Sequence, residues 1–258
     1  MKHKIILTRL KNKFSTLPIG QTKFCCMCNC KVGDFLPYDG GWNSAPPLMK
    51  ALDIIGSDLD NFACPKCGSH DRERHLLLYF EKQGCLKAMA GASILHFAPE
   101  RWLSKVILGA HPLKYVKADL FPVSADIEKI DMLAIPYAEG TFDWVIANHV
   151  LEHVPDEIKA LTEIHRVLRP GGYAVLQTPY CNMLNKTFLD DGIHDPEARL
   201  QAYGQSDHVR LFGRDIYEKI TDAGFKSCVV THEQVLTDVN AKYFGVNEHE
   251  LFMLFRKI

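Results

Sequence analysis

Residues 149–153 read His-Val-Leu-Glu-His, the H-x-x-E-H string. On one continuous helix that spacing puts two imidazoles and a carboxylate on a single face, the zinc-and-base arrangement of one peptidase class. The flanks argue against it. "TFDWVIAN" (141–148) is a continuous apolar run of the kind that forms a buried strand, and Pro155-Asp156 opens a new helix. Only about one turn is left between them, too short for a self-standing helix.

The cysteines make a second cluster. Cys25-Cys26-Met27-Cys28-Asn29-Cys30 is followed by Cys64-Pro65-Lys66-Cys67-Gly68. Two C-x-x-C knuckles, Cys25/Cys28 and Cys64/Cys67, can close a tetrahedral zinc site in which four thiolates leave no open position, so its role would be structural. Cys26 with Cys30, or Cys28 with Cys30, are alternatives for the first knuckle; reduced non-ligand thiols or a redox pair are alternatives for the whole. The interval between the knuckles exceeds that of common zinc ribbons.

These groups need elements to position them. "DRERHLLLYFEKQG" reads as a helix with Asp71 as its cap and Gly84 as its stop. "ASILHFA" (92–98) is a buried strand, "PERWLSKVILGA" a helix, and "KYVKADL" (114–120) and "IEKID" (127–131) are short strands. After "TFDWVIAN" come the helix "PDEIKALTEIHRVLRPGG", the strand "YAVLQT", the helix "GRDIYEKITDAGF", and the strands "KSCVVT" and "ELFMLFRKI". Such alternation predicts an α/β fold: a doubly wound, Rossmann-like, mostly parallel sheet with helices on both faces, preceded by a small Cys-rich segment. Ligands of such sheets bind beyond the carboxyl ends of the strands. The expected division is a basic, Cys-rich segment over 1–70 and the sheet domain over 71–258, with an insertion at 179–212.

Composition (47% hydrophobic, 24% charged) suits a soluble globular protein, and no apolar run approaches the roughly 20 residues of a membrane span. The start, "MKHKIILTRLKNKF", has cations breaking up its apolar residues and reads as no secretory signal. Nine cysteines without such a signal predict reduced thiols and a cytoplasmic location. The net charge of −1 exerts no global pull on nucleic acid. No acid precedes Asp34, however, while Lys2, Lys4, Arg9, Lys11, Lys13, Lys23 and Lys31 do. That arm is either a solvated surface or a contact for an acidic partner.

"ILHFAPE", "YVKADL", "IDMLAIPYAEGTFDWVIANHVLEHV" and "RVLRPGGYAVLQTP" resemble, in order and spacing, the motifs of class I S-adenosylmethionine-dependent methyltransferases. The nearest likeness is to the group that includes quinone-biosynthesis enzymes. Within it the chain is similar to a bacterial subgroup with a C-P-x-C-G-S…R-x-R lead-in and a late "GQSDHVRLFGRD". The likeness covers about residues 64–225. It implies that His96, Phe97, Ala98, Pro99 and Glu100 wrap the methionine part of S-adenosylmethionine; most of the family has an acid and G-x-G there instead. It further implies that Asp119, with Leu120, takes the ribose hydroxyls, that Asp131 and Met132 take the adenine, and that Asn148 and His149 line the methionine side. Some quinone-type relatives hold a divalent ion at the turn here formed by His149, Glu152 and His153.

A long insertion at the ligand end of a sheet reads as a lid or substrate wall. Asp207 and His208, with His149, are the candidate catalytic residues, an imidazole serving as general base for an acceptor that must lose a proton. Arg210 and Tyr180 are further polar candidates. The leading expectation is methyl transfer to oxygen or nitrogen of a small-molecule or glycan acceptor. The alternatives are RNA methylation, with the knuckles and basic arm gripping phosphates, and a non-catalytic binding module that kept the fold. The sequence says nothing of oligomeric state.

Overall fold

Phe142–Asn148, the apolar run before the H-x-x-E-H string, is the central strand of a seven-stranded sheet in a computed structural model that describes residues 22–258. In chain order the strands are β1 (Lys23–Cys25), β2 (Cys30–Val32), β3 (Ser93–Phe97), β4 (Lys114–Asp119), β5 (Glu128–Lys129), β6 (Phe142–Asn148), β7 (Leu168–Gln177), β8 (Phe225–Ser227) and β9 (Leu254–Lys257). The first two form a separate hairpin; the rest run β5-β4-β3-β6-β7-β9-β8. Strands β3 to β7 are parallel, and β9 is antiparallel to both β7 and β8. This is the expected mostly parallel, Rossmann-like sheet.

Alternation along the central strands divides the core in two. Leu95, Val145 and Leu176 face one layer with Leu161 and Ile164 of helix α5 (Glu157–Val167) and Ile216 and Ile220 of α7 (Ile216–Asp222). Ile94, Ile146 and Val175 face the other, with Leu76 and Phe80 of α2 (Asp71–Lys82), Cys85 and Met89 of α3 (Cys85–Met89), and Leu103 and Ile107 of α4 (Arg101–Gly109). Helices therefore cover both faces. Asp71 does not cap α2 as expected. It is the first helical residue, His70 precedes it, and Glu73 reaches back to accept the His70 N–H at 2.9 Å.

Arg74 joins the Cys-rich segment to the sheet domain. Fully buried, it donates to the carbonyls of Asn61, Phe62 and Ser69 on one side and of Phe244 and Gly245 on the other, and stacks 3.8 Å from the Phe35 ring centroid. The long interval between the knuckles also has a structural use. Its helix α1 (Pro47–Ala51) brings Met49, Leu52 and Ile54 against Tyr203, Leu211 and Leu184 of the insertion. Ile55 and Tyr180 exchange backbone hydrogen bonds at 2.9 and 3.0 Å. The insertion holds helix α6 (Pro196–Tyr203), so the two irregular segments form one roof beside the carboxyl end of the sheet.

Candidate active site and cysteine cluster

The carboxyl ends of β3, β4, β5 and β6 lie along one edge of the parallel sheet, and the predicted cofactor residues stand on them. Buried His96 donates from Nε2 to Glu100 at 3.1 Å, and its Nδ1 pairs with the Tyr115 hydroxyl at 2.8 Å. The other Glu100 oxygen accepts the Asn148 amide at 2.5 Å. Burial opposes charge on Glu100, yet the His96 ring holds its carboxyl below the usual range. Phe97 is buried, Ala98 exposed and Pro99 half-buried. Ala98 has φ of 45°, and His149, at the tip of the neighbouring strand, has φ of 55°. Two non-glycine residues in the left-handed region on adjacent strand tips mark a place where backbone strain is tolerated, as at ligand sites.

Asp119 ends β4 and Asp131 lies two residues past β5, in matching geometry. Each uses Oδ1 to accept the N–H two residues on, of Phe121 and of Leu133, both at 2.8 Å. Neither Oδ2 takes a hydrogen bond among the described residues. Leu120 is exposed, and Met132 is buried beside Asp131. Asn148 keeps a buried Oδ1 with no donor. Free carboxylate oxygens, an unfilled amide oxygen and a loop without side-chain bulk at Ala98 are what a ribose, an adenine amine and an aminoacyl group require, so these residues fit S-adenosylmethionine.

The candidate catalytic residues divide. His149 is buried, with Nε2 3.0 Å from Glu250 and Nδ1 3.3 Å from Glu152, so neither nitrogen is turned toward an acceptor. Burial works against charge on this ring, but the two carboxylates outweigh it and raise its pKa. Glu250 continues to His75, 3.6 Å away, and His75 to His232 at 3.1 Å. Gly56 lies close to Cε1 of the His149 ring. His208 is buried, its Nδ1 donating to the Tyr203 carbonyl at 3.0 Å and its Nε2 without a partner; burial lowers its pKa. Asp207 is exposed, its carboxylate 3.4 Å from His153. Arg210 is spent on Glu157 and the Pro155 carbonyl, at the start of α5. Buried Tyr180 packs edge-on against Tyr217.

The cysteine pairs converge. Sγ of Cys25 lies 3.7 Å from that of Cys67, Sγ of Cys28 lies 4.0 Å from that of Cys64, and all four sulfurs are within 4.8 Å of one another. A tetrahedral ion with bonds of about 2.3 Å separates its sulfurs by about 3.8 Å, so the set fits zinc. Cys26 and Cys30 point elsewhere, to the Arg74 and Cys28 carbonyls. Cys67 also connects to the sheet. Its carbonyl accepts the Trp102 indole N–H at 2.7 Å, while Glu73 accepts the backbone N–H of Trp102 and Leu103 at the start of α4.

Sequence reasoning missed Glu73, Arg74 and Glu250. The R-x-R of the lead-in marked Arg72 and Arg74, but nothing local signalled Glu250. Among the cations of the basic arm, Lys23 pairs with Asp34 at 2.6 Å and Lys31 is exposed; Lys2, Lys4, Arg9, Lys11 and Lys13 lie outside the described residues. Among those described, no helix is long and apolar enough to cross a membrane.

Residues 104–176 match the family described as "Methyltransferase domain". An uncharacterized 37.1 kDa protein of a Streptomyces fradiae transposon is 30% identical over 122 residues, 46% of this chain and 34% of that protein. A demethylmenaquinone methyltransferase of Staphylococcus epidermidis is 44% identical over 45 residues, 17% of this chain and 19% of that one. The chain thus spans about a third or less of the curated relatives' length. An S-adenosylmethionine dependent methyltransferase from Mesorhizobium loti superposes with a TM-score of 0.47 at 16% identity, covering 68% of this chain and 97% of the other. Residues 104–176 thus resemble a methyltransferase domain, within a sheet of the order β5-β4-β3-β6-β7-β9-β8.

Proposed function

We propose that the protein transfers a methyl group from S-adenosylmethionine to an oxygen or nitrogen of a small-molecule or glycan acceptor, and that Cys25, Cys28, Cys64 and Cys67 hold a structural zinc ion. The observation that carries the first reading is the pair Asp119 and Asp131 at successive strand ends, each with one carboxylate oxygen left over. When bound, the cofactor supplies a methyl carbon on a cationic sulfur; the C–S bond breaks as a C–O or C–N bond forms, and sulfur keeps the electron pair.

The chain's own part is to bind and orient. Asp119 accepts from the ribose, Asp131 from the adenine amine, and Glu100, steadied by His96 and Asn148, faces the aminoacyl end. Such a displacement disperses charge and forms no new ion for the protein to stabilise, so placing the acceptor in line with the methyl would supply much of the rate. The roof built from residues 47–57 and the insertion is the wall against which an acceptor would be held. A hydroxyl acceptor also needs a way to lose its proton, and the unfilled atoms of Glu152, His153 and His208 are the groups suited to assist.

Calorimetry with S-adenosylhomocysteine tests the reading. Asp119→Ala should weaken binding by about 1.5–3 kcal/mol, the loss of charge-assisted hydrogen bonds. Unchanged affinity would remove Asp119 from the pocket. Release of S-adenosylhomocysteine across an acceptor panel then identifies the acceptor class.

A further inference from the structure

We propose that the four-cysteine cluster positions the cofactor loop through Trp102, so that zinc binding and S-adenosylmethionine binding strengthen each other. This rests on both readings above, the structural zinc and the methyl-transfer site, and adds a coupling that neither of them requires.

The connection is short. The second knuckle, residues 64–68, closes on itself with the Gly68 N–H on the Cys64 carbonyl at 2.8 Å. Ser69 follows, fully buried. Its hydroxyl stands 3.3 Å from the Cys25 sulfur and 3.2 Å from that of Cys67, and its carbonyl accepts the Cys64 N–H at 2.9 Å. Trp102 meets this end of the chain twice. Its indole N–H donates to the Cys67 carbonyl at 2.7 Å, and its backbone N–H donates to buried Glu73, which also holds the Leu103 N–H and the His70 N–H.

On its other side Trp102 is two residues from Glu100, whose carboxylate is shared by His96 and Asn148 at the strand tips. Glu100 is also the residue before α4, yet its side chain does not cap that helix. The first N–H groups of a helix need an outside acceptor, and here Glu73 supplies it. Exposed Arg101 and Lys105 place cations 5.5 and 4.3 Å from the Trp102 ring centroid, but both belong to α4 and move with it. The bond to Cys67 is therefore what fixes the Trp102 side chain against the knuckle.

A C-x-x-C turn keeps its curl because both thiolates reach one ion, and in small metal sites that curl forms together with binding. Four sulfurs within 4.8 Å of one another repel as thiolates and crowd as thiols. Loss of the ion would free the Cys67 carbonyl, take the indole's acceptor away and loosen the start of α4, with Glu100 next to it. Coupling of this kind is reciprocal: the factor by which metal raises cofactor affinity is the factor by which cofactor raises metal affinity.

Backbone hydrogen exchange on the full chain, zinc-replete and after chelation, tests the positioning without cofactor. In the zinc-free protein the Trp102 and Leu103 amides should exchange about tenfold faster, while Val175 and Leu176 in the sheet keep their protection. Zinc-replete Trp102→Phe should show the same acceleration with its metal retained, and it decides the matter should chelation unfold the whole chain. Calorimetry then reads the linkage. S-adenosylhomocysteine should bind about fivefold or more weakly to the zinc-free protein and to Trp102→Phe, and at wild-type strength to Trp42→Phe. In chelator competition, S-adenosylhomocysteine should tighten zinc retention in wild type by the same factor. Unchanged exchange at Trp102 and Leu103 in the zinc-replete variant overturns the proposal, and so does equal S-adenosylhomocysteine affinity with and without zinc. A chain that takes up no zinc overturns it together with the cluster. Failure of S-adenosylhomocysteine to bind zinc-replete wild type removes the methyl-transfer reading, and the exchange result still decides whether the cluster holds the loop.

Discussion

The side-chain amide of Asn148 donates to Glu100 at 2.5 Å, tying the tip of β6 to the loop after β3. His96 holds the other carboxylate oxygen. In the proposed cofactor site Glu100 therefore stands at the methionine end, held by residues of two neighbouring strands.

Replacing Glu100 with Ala should leave His96 and Asn148 without a shared acceptor in a buried setting. We expect a loss of about 1–3 kcal/mol in folding stability together with weaker S-adenosylhomocysteine binding. Glu100→Gln, which keeps the shape but loses the charge, should retain most of the stability while still binding less tightly. Chemical denaturation and calorimetry on the two variants separate these effects; wild-type affinity in both would remove Glu100 from the cofactor site.

The proposed zinc site should be legible from the sheet domain. Metal analysis is expected to find about one zinc per chain, abolished in the Cys64→Ser, Cys67→Ser double variant. Because the Trp102 indole donates to the Cys67 carbonyl, chelation should also alter tryptophan fluorescence. Trp102→Phe should remove that change although Trp42 and Trp144 are still present. A chelation signal that survives in Trp102→Phe would place the coupling elsewhere.

Arg74 offers a fork of donors to five carbonyls contributed by two distant stretches of chain. Arg74→Met should cost about 3 kcal/mol or more, since buried acceptors are orphaned. Arg74→Lys should be nearly as damaging, because an ammonium cannot span the same set. A lysine variant within about 1 kcal/mol of wild type in guanidinium unfolding would show that charge, and not the fork, matters.

Asp71 yields a pH dependence of definite sign. Burial, then the nearby Glu250 charge, push its carboxyl from 3.8 up to about 7. The folded state thus binds a proton that the unfolded chain has released between about pH 4 and pH 7. The stabilising contribution is present below the unfolded value and is lost as pH rises through the folded one. Asp71→Asn, which cannot ionise and can still accept from the Asp58 N–H, should gain on wild type by up to about 4 kcal/mol between pH 4 and pH 8. Parallel stability curves for the two proteins across that range would contradict the assignment.

From residue 92 to 177 the succession of strands and helices was readable because each apolar run and each stop is local: "SILHF", "FDWVIAN" and the Pro170-Gly171-Gly172 break carry their own periodicity and punctuation. The places of Asp119 and Asp131 at the ends of successive strands were readable for the same reason, since those ends are marked locally. The four cysteines were readable as two pairs, but the choice of Cys25 and Cys28 over Cys26 and Cys30 came from the β1–β2 hairpin, whose turn aims alternate side chains in different directions.

What the tertiary structure alone decided are the pairings across long sequence gaps. His149 looked like a free imidazole until Glu250, 101 residues on, was brought against it. His208 was one loop histidine among twelve until the insertion folded against the turn after β6 and left its Nε2 buried beside Glu152 and His153. Periodicity records which face of an element is buried. It carries no record of which distant side chain that face will meet, and the charge state and free valences of a buried polar group are set by that partner.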